Sequence, residues 1–163
     1  MGEIISHVAV AIVASLLSRP WTTVPAQDHH QNNIVPEETI GKRAAKNGIN
    51  LYAYNIGITG ASGVGKSSLI NAMRGLKRND PGAAPVQRGE EGTLKMKPYK
   101  FVEASNIFLW DMPGAGTPNN PLKNYFLDKS LDAFDLVVLL YQSRFMEIDA
   151  ELLKEWGDRS LVH

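Results

Sequence analysis

The order of apolar and polar runs along the chain is typical of an alternating α/β domain. Runs rich in β-branched and aromatic residues predict strands at 52–59, 93–102, 105–111 and 135–141. Helix-forming stretches between them predict helices at 66–75, 121–132 and 149–156, the last with Asp149 as its N-cap. The run 135–141 is the most apolar, as expected of a central parallel strand, so the pattern predicts a parallel or mixed sheet with flanking helices.

The first 48 residues carry a different pattern. Residues 4–17 are apolar apart from two serines and one histidine, which predicts an apolar helix within residues 1–18. That run is too short to cross a bilayer, and it leaves open a core helix, an interfacial helix and a signal-peptide core. Residues 19–48 are expected to form a linker and a short helix that begins at Pro36, which places the domain proper at 49–163.

Composition narrows the class of partner and the compartment. Lysine plus arginine and aspartate plus glutamate both number 17 in 163 residues, so no strong field favours nucleic acid as a partner. The absence of cysteine excludes disulfides and thiolate metal sites, and it agrees with a cytoplasmic protein. Residues 1–6 fit the myristoylation pattern M-G-x-x-x-[ST] with an unfavourable Glu3, so peripheral attachment to membranes stays open.

One short segment carries the most specific chemistry. Residues 60–67 read G-A-S-G-V-G-K-S and fit G-x-x-x-x-G-K-[ST], the phosphate-binding P-loop, between a predicted strand and a predicted helix. Glycines let successive backbone N–H groups turn toward one anion, and the N-terminus of the following helix adds positive partial charge. Lys66 is then expected to reach the β- and γ-phosphates as the catalytic cation, and the Ser67 hydroxyl to ligate Mg²⁺.

A second motif agrees with the first. The predicted strand 105–111 ends in Asp111-Met112-Pro113-Gly114, a D-x-x-G sequence. In a P-loop nucleotidase a carboxylate at this place holds Mg²⁺, usually through water, and the glycine amide contacts the γ-phosphate. The residues predicted to bind the nucleotide are Gly60, Ala61, Ser62, Gly63, Val64, Gly65, Lys66, Ser67, Ser68, Asp111 and Gly114.

Two loops rich in glycine and proline, residues 76–92 and 111–120, flank the predicted phosphate site. Segments of this kind are ordered by a γ-phosphate and released on hydrolysis. Thr93 is the only threonine between Ser67 and Asp111, so it is the candidate for a further metal ligand beside these two residues. A strand threonine without any ligand is the alternative interpretation.

With these residues in place, the chain resembles the immunity-related (interferon-inducible) GTPase family over residues 55–145. The resemblance rests on N-I-G-I-T-G-A-S-G-V-G-K-S-S-L-I-N-A-M-R-G-L at 55–76 and N-I-F-L-W-D-M-P-G-A-G-T at 106–117, with shorter matches at 97–99, 125–129 and 143–145. It implies a Ras-like G domain that binds GTP or GDP with Mg²⁺ and hydrolyses GTP slowly. It also implies self-association, pairing with related GTPases and recruitment to intracellular membranes.

Two departures from the family pattern bear on activity. No [NT]-K-x-D motif follows residue 141, so the carboxylate with which a G domain reads guanine is missing, and we expect an incomplete G domain. The strand at 135–141 is then expected to be an exposed apolar edge of the sheet. The residue after D-x-x-G is Ala115, which cannot orient an attacking water as a glutamine does in Ras-like enzymes.

Three functions follow as hypotheses. The leading one is GTP binding with slow Mg²⁺-dependent hydrolysis in an immunity-related GTPase-like domain. The alternative is a truncated, non-catalytic interaction module that pairs with full-length GTPases, as the missing base-reading motif would allow. A different P-loop ATPase or small-molecule kinase is disfavoured by the D-x-x-G ending of the second strand and by the lack of an arginine-rich lid after it.

Overall fold

The computed structural model describes residues 8–13, 37–86, 93, 95–103, 105–142 and 147–160. They form a five-stranded sheet with the order β1-β5-β2-β4-β3. The strands are β1 (Val8–Val13), β2 (Tyr54–Gly60), β3 (Lys97–Lys100), β4 (Ile107–Asp111) and β5 (Leu136–Gln142). The helices are α1 (Glu37–Lys46), α2 (Lys66–Met73), α3 (Leu122–Asp128) and α4 (Glu147–Ser160), with a 3₁₀ turn at Leu131–Ala133. The α/β fold class predicted from the sequence is confirmed.

The centre of the sheet is parallel, and both of its outer strands are antiparallel to their neighbours. Strand β2 lies between β4 and β5 and runs parallel to both. Strand β3 pairs antiparallel with β4, from Lys97 opposite Asp111 to Lys100 opposite Phe108. The carboxyl ends of the three parallel strands therefore meet at one edge, which is where open α/β sheets place their ligands.

Residues 8–13 form a strand, so the predicted N-terminal helix is wrong over this segment. Strand β1 pairs antiparallel with β5, from Val8 opposite Gln142 to Val13 opposite Val137. Its sequence V-A-V-A-I-V is rich in β-branched residues, and a run this short is assigned by the backbone partner that it meets rather than by its own periodicity. The predicted exposure of the apolar β5 edge is also wrong, because β1 covers that edge.

Other parts of the N-terminal prediction cannot be compared with the structure. Residues 1–7, with the myristoylation pattern, and residues 14–36, with the predicted linker, lie outside the described residues. Residues 87–92 of the first flanking loop and residues 143–146 of the family resemblance lie outside them as well. None of the helices in the described segments is long and apolar enough to cross a membrane.

Hydrophobic side chains alternate between the two faces of the sheet and build a core on each. Along β5, Val137 and Leu139 belong to one core, and Val138 and Leu140 belong to the other. The first core also holds residues of α1, α3 and α4, and the second holds Ile70 of α2. The sheet is thus covered by helices on both faces, as its buried parallel strands require.

Two side chains, Arg43 in α1 and Asn47 directly after it, attach this helix to the rest of the domain. The Arg43 guanidinium donates to the Asp132 carboxylate, and the two side chains are 18% and 16% exposed. The Asn47 amide donates to the Ser130 hydroxyl at 2.8 Å and to the backbone carbonyl of Asp128 at 3.0 Å. The helix therefore packs beside the 3₁₀ turn, away from the carboxyl edge of the parallel strands.

The predicted N-cap role of Asp149 is wrong. Helix α4 begins at Glu147, so Asp149 lies within its first turn, where its side chain is buried at 2% exposure. An acidic residue is favourable both at the N-cap and within the first turn, because the helix dipole stabilises negative charge throughout that turn. The sequence alone therefore does not separate a cap from a residue two positions later.

Candidate phosphate-binding site

The loop between β2 and α2 turns through left-handed backbone conformations that only glycine adopts easily. Gly60, Gly63 and Gly65 have φ of +137°, +78° and +99°. At Gly60 there is a second constraint, since a Cβ atom would lie 2.2 Å from the backbone oxygen of Leu140 in β5. The predicted P-loop is therefore a strand–loop–helix turn at the carboxyl edge of the sheet, with its backbone closely apposed to the neighbouring strand.

Lys66 is the first residue of α2, and its side chain folds back over the loop. It is 6% exposed, and its Nζ donates to the backbone oxygens of Ala61 at 2.7 Å and Gly60 at 3.1 Å. Burial lowers the pKa of Lys66 to about 8, against the opposing effect of the Asp111 carboxylate. The structure thus holds an ammonium group inside the concave side of the loop, where phosphate oxygens are expected.

The three residues predicted as metal ligands lie together. Oδ2 of Asp111 accepts hydrogen bonds from Oγ of Ser67 at 2.6 Å and from Oγ1 of Thr93 at 3.2 Å. Thr93 lies outside β3, so the alternative interpretation as a strand threonine is not what the structure shows. Burial raises the pKa of Asp111, and the hydrogen bonds from Ser67 and Thr93 and the charge of Lys66 oppose that rise.

This cluster fits a small hard cation. Oδ1 of Asp111 is buried and has no hydrogen-bond partner among the described residues, which leaves an unused anionic oxygen. Mg²⁺ prefers hydroxyl and carboxylate oxygens and keeps several waters, so one carboxylate and two hydroxyls suit it. No group of three or more His, Asp or Glu side chains that could hold a metal occurs among the described residues, so a site built on protein carboxylates alone is absent there.

The D-x-P-G segment lies directly against the P-loop. The Met112 N–H donates to the Ile58 carbonyl and the Ala115 N–H donates to the Gly60 carbonyl, both at 3.2 Å. A Cβ atom on Gly114 would lie 2.9 Å from the backbone nitrogen and Cα of Ser62. Only a glycine lets the two loops approach this closely, so the structure brings both sequence motifs to one place.

The remaining residues predicted to bind the nucleotide differ in how exposed their side chains are. The Ser68 side chain is exposed on α2, and Gly63 is exposed at the tip of the loop. The Val64 side chain is 8% exposed and belongs to the core on the α2 face, so only its backbone is available to a phosphate. Ala61 is half-buried and pairs with Ala115 as an isolated β-bridge, which continues the contact between the two loops.

Two residues that shape the site were not singled out from the sequence. Tyr125 in α3 is 1% exposed and hydrogen-bonds to both Thr59 and the Pro113 carbonyl, at the base of the two loops. Asn71 in α2 holds the first flanking loop by a pair of hydrogen bonds to the backbone of Ala84, at 2.6 and 2.9 Å. Both lie in runs that carry the resemblance described above, 55–76 and 125–129, but those runs do not predict these tertiary contacts.

The sheet order, the glycine-rich turn and the adjoining D-x-P-G loop define a P-loop nucleotide-binding domain of the GTPase class. A sequence model of the interferon-inducible GTPase (IIGP) family matches residues 30–158, which is most of the chain, and the chain belongs to that family.

Curated relatives agree with this assignment. The chain is 38% identical over 100 residues to the mouse (Mus musculus) T-cell-specific guanine nucleotide triphosphate-binding protein 2, a match that covers 61% of the chain and 24% of the relative. It is 38% identical over 100 residues to the rat (Rattus norvegicus) interferon-inducible GTPase 5, covering 61% of the chain and 21% of the relative. It is 34% identical over 100 residues to the mouse interferon-inducible GTPase 1, covering 61% of the chain and 24% of the relative. The matched region thus spans between about a fifth and a quarter of each relative's length.

Proposed function

We propose that this chain binds GTP and GDP at the P-loop and hydrolyses GTP slowly with Mg²⁺. The observation that carries the proposal is the cluster of Asp111, Ser67 and Thr93 beside the buried ammonium of Lys66. A buried cation and an unused carboxylate oxygen, held side by side at a glycine-rich turn, suit a polyphosphate and its counter-cation. The names of the relatives, which are GTPases and guanine nucleotide-binding proteins, support the choice of nucleotide.

The chain's own groups account for binding and for a slow reaction. Backbone N–H groups of the loop and the Lys66 ammonium would neutralise the phosphate oxygens, where charge develops during phosphoryl transfer. Mg²⁺, held through Ser67, Thr93 and Asp111, would supply further neutralisation of that charge. Ala115 has no side chain that could orient a water, and its N–H is engaged by the Gly60 carbonyl. The attacking water would therefore be poorly positioned, which limits the rate.

Nucleotide binding is tested by titrating the purified chain with fluorescent GTP and ATP analogues, with Mg²⁺ and with EDTA. We expect binding that is strengthened by Mg²⁺ and lost in Lys66→Ala. Lys77→Ala is the matched control, because Lys77 is exposed and lies beyond the end of α2. Tight binding by Lys66→Ala would overturn the assignment of the site.

The same titration separates the proposal from its alternative. A preference for GTP over ATP would mean that guanine is read by groups other than an [NT]-K-x-D motif in this chain. Absence of binding to either nucleotide would favour the non-catalytic interaction module. Hydrolysis is then measured as GDP formed per protein at increasing protein concentration, since a rate per molecule that rises with concentration indicates catalysis by self-association.

We also propose a cytoplasmic location with peripheral contact to intracellular membranes. This part of the proposal is supported by family membership alone. Flotation of the chain with liposomes, in GTP and in GDP, tests it, and recovery of all protein in the lipid-free fraction under both conditions would contradict it.

A further inference from the structure

One buried hydroxyl joins the P-loop strand to the D-x-P-G loop. The Tyr125 hydroxyl donates to the Pro113 carbonyl at 2.6 Å, and it lies 3.0 Å from Oγ1 of Thr59, the residue before Gly60. Because a carbonyl only accepts, the single phenolic hydrogen belongs to Pro113, and Thr59 donates to the Tyr125 oxygen. Burial raises the pKa of Tyr125, so the hydroxyl stays protonated and remains a donor.

The hydrogen bond to Pro113 fixes more than the carbonyl that accepts it. The Pro113 carbonyl and the Gly114 N–H belong to one peptide group, which is planar and trans among the described residues. In such a group the C=O and the N–H point in opposite directions. Holding the Pro113 oxygen against Tyr125 therefore turns the Gly114 N–H away from α3.

Other contacts hold the peptide that follows Gly114. The Thr117 hydroxyl donates to the Gly114 carbonyl at 3.2 Å, and the Ala115 N–H is bonded to the Gly60 carbonyl. Gly114 itself is in contact with Ser62 of the P-loop. Among the described residues, the Tyr125 hydrogen bond is therefore the one that holds the peptide preceding Gly114.

We propose that Tyr125 is a positioning residue that aims the Gly114 N–H at the terminal phosphate of a bound triphosphate. The inference rests on the proposed function, because it assumes that nucleotide binds at the P-loop. A diphosphate lacks the group that the N–H would meet. Tyr125 would therefore determine how strongly the site prefers a triphosphate over a diphosphate, rather than how strongly it binds nucleotide at all.

The test compares dissociation constants for GTPγS and GDP, with Mg²⁺, in the wild-type chain, Tyr125→Phe and Thr59→Val. Tyr125→Phe keeps the ring and removes the hydroxyl, and we expect GTPγS affinity to fall about five- to tenfold with GDP affinity within twofold of the wild type. Thr59→Val removes the other hydrogen bond of the same hydroxyl and leaves Pro113 held. It should keep the wild-type ratio of the two constants.

A merely structural role would lower the melting temperature of both variants without moving the ratio, so an unchanged ratio in Tyr125→Phe overturns the inference. An equal change of the ratio in Thr59→Val overturns it as well. If Tyr125→Phe does not fold alone, it is purified in saturating GDP, which stabilises the folded state, and GTPγS is measured by displacement. Absence of any nucleotide binding by the wild type overturns the proposed function and this inference together, whereas binding with an unchanged ratio overturns only the inference.

Discussion

The Ser67 hydroxyl donates a hydrogen bond of 2.6 Å to Oδ2 of Asp111, and this contact joins the first turn of α2 to the end of β4. Asp111 is 1% exposed, and its Oδ1 has no partner in the described part of the chain. A buried carboxylate with one unused oxygen costs folding free energy, which the raised pKa of Asp111 reflects. The fold tolerates that cost at the place where a cation is expected.

Replacing that carboxylate should therefore stabilise the fold and damage the site. Asp111→Asn keeps an oxygen that accepts from Ser67 and removes a charge that the fold disfavours on balance, since burial raises the pKa of Asp111 despite the opposing charge of Lys66. We therefore expect the free energy of unfolding in EDTA to rise by on the order of 1 kcal/mol. The gain in nucleotide affinity on adding Mg²⁺ should disappear. Urea denaturation and nucleotide titrations measure the two effects, and a destabilised variant that keeps its Mg²⁺ dependence would contradict the expectation.

The ammonium of Lys66 should make stability and affinity respond to pH in opposite directions. Burial lowers the pKa of Lys66 to about 8, below the ordinary lysine pKa that it has in the unfolded chain. Between these two pH values the unfolded chain binds more protons than the folded chain, so folding stability rises with pH in that window. A bound phosphate favours the charged form. GDP affinity in EDTA should thus be level below pH 8 and fall up to about tenfold per pH unit above it.

Lys66→Met provides the control for this pH dependence, because it cannot titrate. The difference in unfolding free energy between the wild type and Lys66→Met isolates the contribution of this one group. A difference that does not change between pH 7 and pH 10 would show that Lys66 keeps its proton in the folded chain.

Two glycines of the P-loop should differ in what an alanine costs. A Cβ on Gly60 would lie 2.2 Å from the Leu140 oxygen, whereas a Cβ on Gly63 meets nothing within 4 Å. Both have positive φ, so Gly63→Ala should cost about 1 kcal/mol of stability from backbone strain alone. Gly60→Ala should cost more than about 3 kcal/mol, because β2 and β5 must separate. Equal losses in urea denaturation would argue against the close approach of the two strands.

The ion pair between Arg43 and Asp132 should stabilise the attachment of α1 to the domain, with the two side chains contributing as one interaction. Both side chains are mostly buried, and the remaining polar atoms Nε of Arg43 and Oδ1 of Asp132 have no hydrogen-bond partner among the described residues. Either alanine variant leaves the opposite charge unpaired and should cost about 2 kcal/mol or more. The double variant should cost less than the sum of the two, by about 1–2 kcal/mol in a double-mutant cycle of urea denaturation. Additive losses would place the two groups in separate interactions.

Strand β1 should be needed to keep the β5 edge covered. Prolines at Val10 and Ala11 remove two successive N–H donors, and since these alternate in direction, at least one points toward β5. We expect a loss of about 2 kcal/mol and faster aggregation by light scattering. Threonines at the same two positions keep every backbone donor and should leave the chain monodisperse. An unaltered proline variant would show that the pairing contributes nothing, and aggregation of the threonine variant would assign the effect to the side chains instead of the pairing.

Local signals predicted the elements that build the site. The strand before the P-loop, the helix after it and the D-x-P-G ending of β4 each follow from a few neighbouring residues, and the structure places them within a few residues of their predicted bounds. Thr93 was a candidate because it is the only threonine between the two motifs. Its hydrogen bond to Asp111 agrees with that interpretation and could not be derived from composition.

Tertiary contacts decided the features that the sequence could not predict. The apolar run at 8–13 was compatible with helix or strand, and pairing with β5 made it a strand. Asp149 suited a cap or a first turn equally, and the start of α4 at Glu147 decided between them. Tyr125 lies in the run 125–129 that carries part of the family resemblance, but its role depends on contacts with Pro113 and Thr59 that the local sequence does not predict.

The pairing of β1 with β5 also constrains how the chain reaches its fold. Val8 lies opposite Gln142, so the contact of longest sequence separation in the sheet joins its first strand to its last. Closing such a loop costs conformational entropy, and folds rich in contacts of long sequence separation fold slowly. During synthesis from the N-terminus, β1 would emerge long before its partner exists. The segment V-A-V-A-I-V therefore stays without its sheet partner until β5 has been synthesised.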